Sequence, residues 1–324
     1  MNARLDHFPT IASGLPDAWA SHRIWLNDGQ TFDLRIAPIA KRIGDATVRM
    51  LAYNGSVPGP TLCVREGSEL IVNAHNEGDL EATVHWHGLR LDNRYDGTAE
   101  TQQPMQVGGS FTYRLRFPDP GIYWYHPHIR EDYAQEMGLY GSIVVVPADA
   151  DYWPPVNRDV TLMLDDILIE DGKVAPFRRG ETTHVAMGRF GNVLLANGEP
   201  EPAFDAWQGE VVRFYLTNTA NTRVFNVAMR GARMKLIGGD SGRYEHEELV
   251  ESVVIAPSER AVVDVLFSRP GVAVLEHRTP QRTYALAKIH VANRSAFPSF
   301  QRQFDTLRTH ADMVAERARI APYL

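Results

Sequence analysis

Two stretches of this chain are copies of one another, and that duplication limits the possible folds more than any other feature. In residues 51–147, Asn54-Gly55 is followed by Pro58 and Pro60, Gly67 and Asn76. Residues 194–291 answer with Asn197-Gly198, then Pro200 and Pro202, Gly209 and Asn218. Further on, FPDPGIYWYHPH (117–128) returns as FSRPGVAVLEHR (267–278), with Phe, Pro and Gly in register. Within the copies, short β-branched and aromatic runs such as Leu70-Ile-Val-Asn73 and Ser142-Ile-Val-Val-Val146 are broken by Gly, Pro, Asn and Asp. Runs of that kind build strands packed into sandwiches or barrels, so the chain is expected to be all-β, with two units in tandem.

The 324 residues suffice for about two domains, each able to bury a core. The expected division is an arm over 1–24, a first unit over 25–147, a linker over 148–158 and a second unit over 159–295. The linker falls in the Pro- and Asp-rich run Pro147-Ala-Asp-Ala-Asp-Tyr-Trp-Pro-Pro155. Over 296–324 the character changes. Phe300, Phe304, Leu307, Ala311, Val314 and Ala318 alternate steps of four and three, which places them on one stripe of an α-helix. Ser299 is its candidate N-cap and Pro322 its stop. Two readings of this helix stay open, docking on the second unit or connecting to something beyond it.

The first unit holds the chemistry. It contains VHWHGLRLDNRYDG and, later, GIYWYHPH, hence two His-X-His pairs, His85/His87 and His126/His128. Residues two apart on a strand share a face at a spacing of about 6.5 Å, so each pair offers two imidazoles on one surface. Neutral imidazole binds copper, zinc, iron or nickel, and two such strands side by side present four nitrogens to one small volume. The second unit lacks this set. In the repeat register Glu276 and Arg278 stand where His126 and His128 stand, and Phe225-Asn-Val-Ala-Met229 answers His-Trp-His without a histidine. Arginine stays protonated and ligates no metal.

Composition narrows the partners. A net charge of −7 argues against a nucleic-acid or anionic-membrane partner, both of which call for a basic face. No apolar run at the N-terminus has the length of a signal peptide and none elsewhere approaches a membrane span, which leaves open a cytoplasmic protein and an exported one with its leader removed. The single cysteine, Cys63, excludes an intrachain disulfide and lies in the apolar run TLCVREG, where a thiol is a small buried hydrophobe.

The frame around the histidines is more specific than either pair. His-Trp-His-Gly (85–88), Asp96-Gly97, Thr101-Gln-Gln-Pro104, Gly109-Ser-Phe-Thr-Tyr-Arg114, Tyr-His-Pro-His (125–128) and Gly138-Leu-Tyr-Gly141-Ser-Ile-Val-Val145 occur in that order. The series resembles the first domain of the multicopper oxidases, the laccase and ascorbate oxidase family. The resemblance implies that each unit is a cupredoxin-like Greek-key β-barrel, the second similar to the family's middle domain, which carries no copper. It further implies that His85 binds the type 2 copper, His87 and His126 one of the paired type 3 coppers, and His128 the other. These four are half the ligands of a trinuclear cluster. Asp96 matches a carboxylate beside that cluster that supports proton delivery as dioxygen is reduced to water; its plain alternative is an ordinary Asp-Gly turn residue.

The same resemblance implies what else the activity needs. A type 1 blue copper site takes a Cys flanked by two His ligands. Cys63 has no His within ten residues, and the family's His-Cys-His signature is absent. The expectation is therefore a laccase-like, copper-dependent oxidoreductase that couples one-electron oxidation of a small-molecule or metal-ion donor to reduction of dioxygen. It is present here without the type 1 domain, inactive on its own, and has its histidine face covered by a third cupredoxin domain or a neighbouring chain. The alternative is a non-catalytic copper-binding or scaffold protein of cupredoxin build. A copper nitrite reductase needs the missing Cys-His arrangement, whereas a single zinc on three of the histidines is compatible with ligand chemistry.

Two other motifs invite weaker readings. Gly238-Gly-Asp-Ser-Gly242 resembles a serine-protease nucleophile loop, but no base-histidine motif accompanies it, and in the repeat register it begins a strand turn. Glu245-His-Glu-Glu248 reads as a solvated acidic loop. The remaining histidines, His7, His22, His75, His184, His246, His277, His290 and His310, are expected to be surface or satisfied core residues.

Overall fold

The computed structural model describes residues 8–177 and 182–323, so His7 lies outside it. The first half forms strands β1 (Arg23–Trp25), β2 (Thr31–Ile43), β3 (Ala46–Tyr53), β4 (Thr61–Arg65), β5 (Glu69–Asn76), β6 (His85–His87), β7 (Ser110–Arg116), β8 (Gly121–His126) and β9 (Gly141–Val146). They make two sheets, ordered β3-β2-β5-β7 and β1-β4-β9-β8-β6. Between them lies a core that includes Leu34, Met50, Val72, Trp86, Tyr113 and Ile143. Alternation shows directly in β5, where Leu70, Val72 and Ala74 are buried and their neighbours are not.

The second half repeats the plan with a six-stranded and a five-stranded sheet around a second core that includes Leu164, Phe214, Val227, Val263 and Leu286. The architecture is mostly β, in two cupredoxin-like units, as the repeat predicts. Its buried polar fasteners repeat as well. Asn76 Nδ2 donates to the carbonyls of Leu80 and Met105 at 2.8 and 2.9 Å. Asn218 Nδ2 donates to those of Arg223 and Ile255 at 2.7 and 2.9 Å. Each Asn is completely buried, and each closes a loop whose backbone would otherwise be short of partners. The Asn-Gly turns match too: Asn54 caps the Arg35 amide at 2.7 Å and Asn197 the Met163 amide at 2.8 Å, both with φ near +50°.

A third apolar cluster, Cys63, Ile122, Val144, Trp153, Tyr215, Ile237 and Val262, joins the two halves. Polar links flank it: Lys41 to Glu199 at 2.6 Å, Gln135 Nε2 to the Thr219 carbonyl at 2.8 Å, and Arg23 with Asp159. Cys63 is thus a buried seam residue, in keeping with the sequence reading. The protease-like pentapeptide is the turn between strands Arg233–Gly239 and Gly242–Val250.

The C-terminal stripe differs from a single helix. Besides the short α1 (Glu131–Ala134) and α2 (Thr182–Met187), the structure has α3 (Gln301–Asp305) and α4 (Ala311–Ile320), separated by extended residues 306–310. Phe300, not Ser299, occupies the N-cap of α3. The break has a clear cause. The Glu247 amide donates to the Arg308 carbonyl at 3.0 Å and the His310 amide to the Glu245 carbonyl at 2.8 Å, so the tail pairs with strand Gly242–Val250 instead of continuing the helix. This also corrects the reading of 245–248 as a solvated loop. Glu247 is fully buried on that strand, with Lys235 at 3.0 Å and Arg308 at 2.7 Å. No helix among the described residues is long and apolar enough to cross a membrane.

Candidate metal centre

Strand β6 pairs antiparallel with β8, with His85 opposite His126 and His87 opposite Trp124. Alternation turns Trp86 into the core and sends His85 and His87 to the other face. There the rings of both His-X-His pairs gather. Ring centroids of His85 and His128 are 4.6 Å apart, of His126 and His128 5.1 Å, and of His87 and His126 5.5 Å. Trp124 stacks on His126 at 4.0 Å and fixes the plane of its ring.

Hydrogen bonding decides which ring nitrogens are free. His85 Nδ1 donates to the Asp96 carbonyl at 2.6 Å, His126 Nδ1 to the Pro127 carbonyl at 3.0 Å, and His128 Nδ1 to a Glu131 carboxylate oxygen at 2.8 Å. With the proton on Nδ1, each of these rings keeps its lone pair on Nε2. His87 is turned the other way, its Nδ1 lying 3.3 Å from His126 Nε2. Two nitrogens each about 2.0–2.1 Å from one tetrahedral ion stand about 3.3 Å apart, so that gap takes either one proton or one metal ion. Ligand atoms of His85, His126 and His128 also lie within 4.8 Å of one another, a second grouping that could hold an ion. His126 belongs to both groupings, and the face has room for more than one ion.

The electrostatics suit a ligand set. Burial lowers the pKa of His85, and burial together with the neighbouring imidazoles takes that of His126 well below the usual histidine value. His87 is pushed down to about 3 by burial first and the nearby Arg260 charge second. These three rings are therefore neutral near pH 7, the state that binds a metal. His128 is raised by its hydrogen bond to Glu131.

Two supports complete the site. Asp96 ends a short 3-10 turn (Asn93–Tyr95) and contacts His85 mainly through its carbonyl, with carboxylate Oδ1 3.6 Å from Nδ1. It is thus a turn residue and a carboxylate beside the histidines at once. Gly97 makes the approach possible: its φ is +81°, and a Cβ there would stand 1.8 Å from the Val84 carbonyl oxygen. Glu131, on α1, went unread in the sequence. A carboxylate holding the far nitrogen of a ligand imidazole is a recurrent feature of metal sites, and the signal available for it was the His-X-X-Glu spacing at 128–131. Among the other described histidines, His310 departs from the default: it is buried with no hydrogen-bond partner at Nε2. His277 is buried and accepts from the Asn226 amide at 3.1 Å.

Comparison with known proteins points to one family. A family model described as multicopper oxidase matches residues 38–150. The chain is 29% identical over 276 residues to the multicopper oxidase MmcO of Mycobacterium tuberculosis, covering 76% of this chain and 53% of that protein. Among solved structures it is similar to Lac15 from a marine microbial metagenome, at 30% identity and TM-score 0.71, over 82% of this chain and 68% of that one. It is also similar to a multi-copper oxidase from Pseudomonas thermotolerans, at 27% identity and TM-score 0.76, over 84% of this chain and 66% of that one. The chain spans about half the length, or less, of the curated relatives it matches. The cluster of His85, His126 and His128 fits a copper site.

Proposed function

We propose, from the premise that this chain belongs to the multicopper oxidase family, that its first unit holds part of an oxygen-reducing copper centre on His85, His87, His126 and His128. Copper bound there supplies the one-electron chemistry that couples oxidation of a donor to reduction of dioxygen to water. The observation that carries the reading is the 3.3 Å approach of His87 Nδ1 to His126 Nε2. In the same cluster the other three Nδ1 atoms are already committed to Asp96, Pro127 and Glu131. By the family's pattern, His87 and His126 share one type 3 ion, His128 serves its partner, and His85 serves the type 2 ion.

The chain's own residues then have distinct tasks. The Asp96 carbonyl, Pro127 carbonyl and Glu131 carboxylate fix ring orientation, and Trp124 and Trp86 keep water from the strands behind the site. The Asp96 carboxylate, about one-third exposed, takes protons from solvent at Oδ1 and passes them towards the face where oxygen is reduced. Four imidazoles leave a group of copper ions short of ligands, so the remaining ligands, and the route for electrons from the donor, come from another domain or chain laid over this face.

Copper titration of the His87→Ala/His126→Ala variant tests the reading. High-affinity binding should fall by about 100-fold or more, since two of the best-placed ligands go. Undiminished binding would sink the assignment.

A further inference from the structure

A side chain from the second unit reaches the strands that carry the ligands. Arg260 is buried, with side-chain exposure of 4%. Its Nε donates to the Ile122 carbonyl on β8 at 3.2 Å, the strand that ends in His126. Its Nη2 donates to the Asp240 carbonyl at 2.9 Å and its Nη1 to the Ser258 carbonyl at 3.1 Å, while the Asp240 carboxylate lies 2.9 Å from Nη1. The same guanidinium presses on Gly88, the residue after His87: a Cβ at Gly88 would stand 2.5 Å from Nη2. With φ of +87°, Gly88 gives the turn and the clearance that let the arginine in. One planar fork thus bonds the strand that ends in His126, abuts the residue after His87, and is itself anchored to the second unit.

We propose that Arg260 is a positioning residue for the ion shared by His87 and His126. It pins the two ligand strands across the seam, and its fixed charge biases that position towards cuprous over cupric copper. The inference rests on the copper reading above. The charge argument follows from Coulomb's law: a nearby cation repels a divalent ion twice as strongly as a monovalent one, and burial limits the screening. Arginine is suited to this task because it stays charged without water around it.

The test is the ratio of Cu(II) to Cu(I) affinity of the full chain, measured with each ion against a competing chelator. In Arg260→Gln the ratio should rise about tenfold, equivalent to a fall of about 59 mV in one-electron potential. Arg260→Lys, which keeps the charge, should return the ratio close to the unsubstituted value while leaving overall affinity reduced, because an ammonium cannot bridge Ile122 and Asp240 as the fork does. Should Arg260→Gln not fold, Asp240→Asn probes from the other side. Stripping the guanidinium of its counter-charge should lower the ratio. A folded Arg260→Gln, or Asp240→Asn, with an unmoved ratio overturns the proposal. The His87→Ala/His126→Ala variant measured in parallel separates this failure from failure of the copper reading itself: if copper binding survives there, the copper reading has fallen, and if it is lost there while the Arg260 ratio is flat, only Arg260's role has.

Discussion

The same place in the two units is filled in opposite ways. In the first, His85 faces His126 across β6 and β8. In the second, strands Phe225–Arg230 and Gly271–Arg278 pair in the matching register, with Ala228 opposite Glu276 and Arg230 opposite Val274. Ala228, Arg230, Glu276 and Arg278 therefore stand where His85, His87, His126 and His128 stand. Glu276 accepts from Arg230 Nε at 2.6 Å and from Arg278 Nη2 at 3.0 Å. The second unit fills the position with its own opposite charges; the first fills it with imidazoles whose ring nitrogens converge. Two copies of one backbone show that the fold does not require four histidines at this place, and that the contrast between the units lies in these positions.

The largest expected effect is the one that would break this contrast. His87→Ala/His126→Ala should lose copper about 100-fold or more, whereas Arg230→Ala/Glu276→Ala at the equivalent positions should leave copper affinity unchanged. Copper titration of both variants, side by side, decides the matter, and an equal loss in the two would erase the distinction between the units.

A carboxylate with less compensation sharpens the comparison. Glu136 is buried against Arg189, with the acidic Asp166 nearby, and is raised to about 7, chiefly by burial. A carboxyl whose folded pKa lies above its unfolded value binds more protons folded than unfolded. Its stabilising effect is then full below the unfolded pKa near 4.5 and is lost as pH rises through about 7. Denaturation of the chain should show stability falling by on the order of 2 kcal/mol between pH 5 and 8. In Glu136→Gln that fall should flatten, and an unchanged profile would mean that another group titrates there.

Smaller again are the effects of removing single supports. Glu131→Gln keeps a hydrogen bond to His128 but removes its charge, and copper affinity should drop about tenfold with little change in stability. Glu276→Ala frees two arginines that already reach solvent, with side-chain exposures of 62% and 39%. The cost should be about 1 kcal/mol rather than that of a fully buried pair. Thermal melts against the unsubstituted chain would measure it.

How far the sequence could be read follows the same physical divide. Local periodicity carried the strands, and turn chemistry carried the duplication, because Asn54-Gly55 and Asn197-Gly198 perform the same backbone task. The first pair was legible because strand β6 places His85 and His87 on one face; the second differs, since β8 ends at His126 and His128 joins the cluster from the bend beyond it. Glu131 was missed because α1 is a single turn and leaves no periodic trace. Glu247 was misread because strand Gly242–Val250 carries Glu245, Glu247 and Glu248 within four residues and only the distant Lys235 and Arg308 reveal which of them is inside. Arg260 was invisible for a related reason: its partner Ile122 lies 138 residues earlier, and no local pattern encodes a contact across the seam.

The smallest effect concerns the thiol. Cys63 lies on β4 in the apolar seam with Ile122, Val144 and Trp153, and burial is the largest cause of its raised pKa. A thiol so placed is held in its neutral form, and the thiolate is the form that ligates copper and gives the intense charge-transfer colour of a blue site. The histidine face belongs to β6 and β8, and among the described residues Cys63 is in no group of side chains that could hold a metal. Loaded with copper, the chain of 324 residues should be at most faintly coloured and should not consume oxygen with phenolic or amine donors on its own. Cys63→Ser exchanges sulfur for a slightly smaller polar atom, so stability should fall by only about 1 kcal/mol, with copper content unchanged. Absorption spectra and copper analysis of the two proteins make the comparison. A strong blue band that vanishes in the serine variant would place copper on the seam, away from the four positions at which the second unit carries Ala228, Arg230, Glu276 and Arg278 in place of histidine.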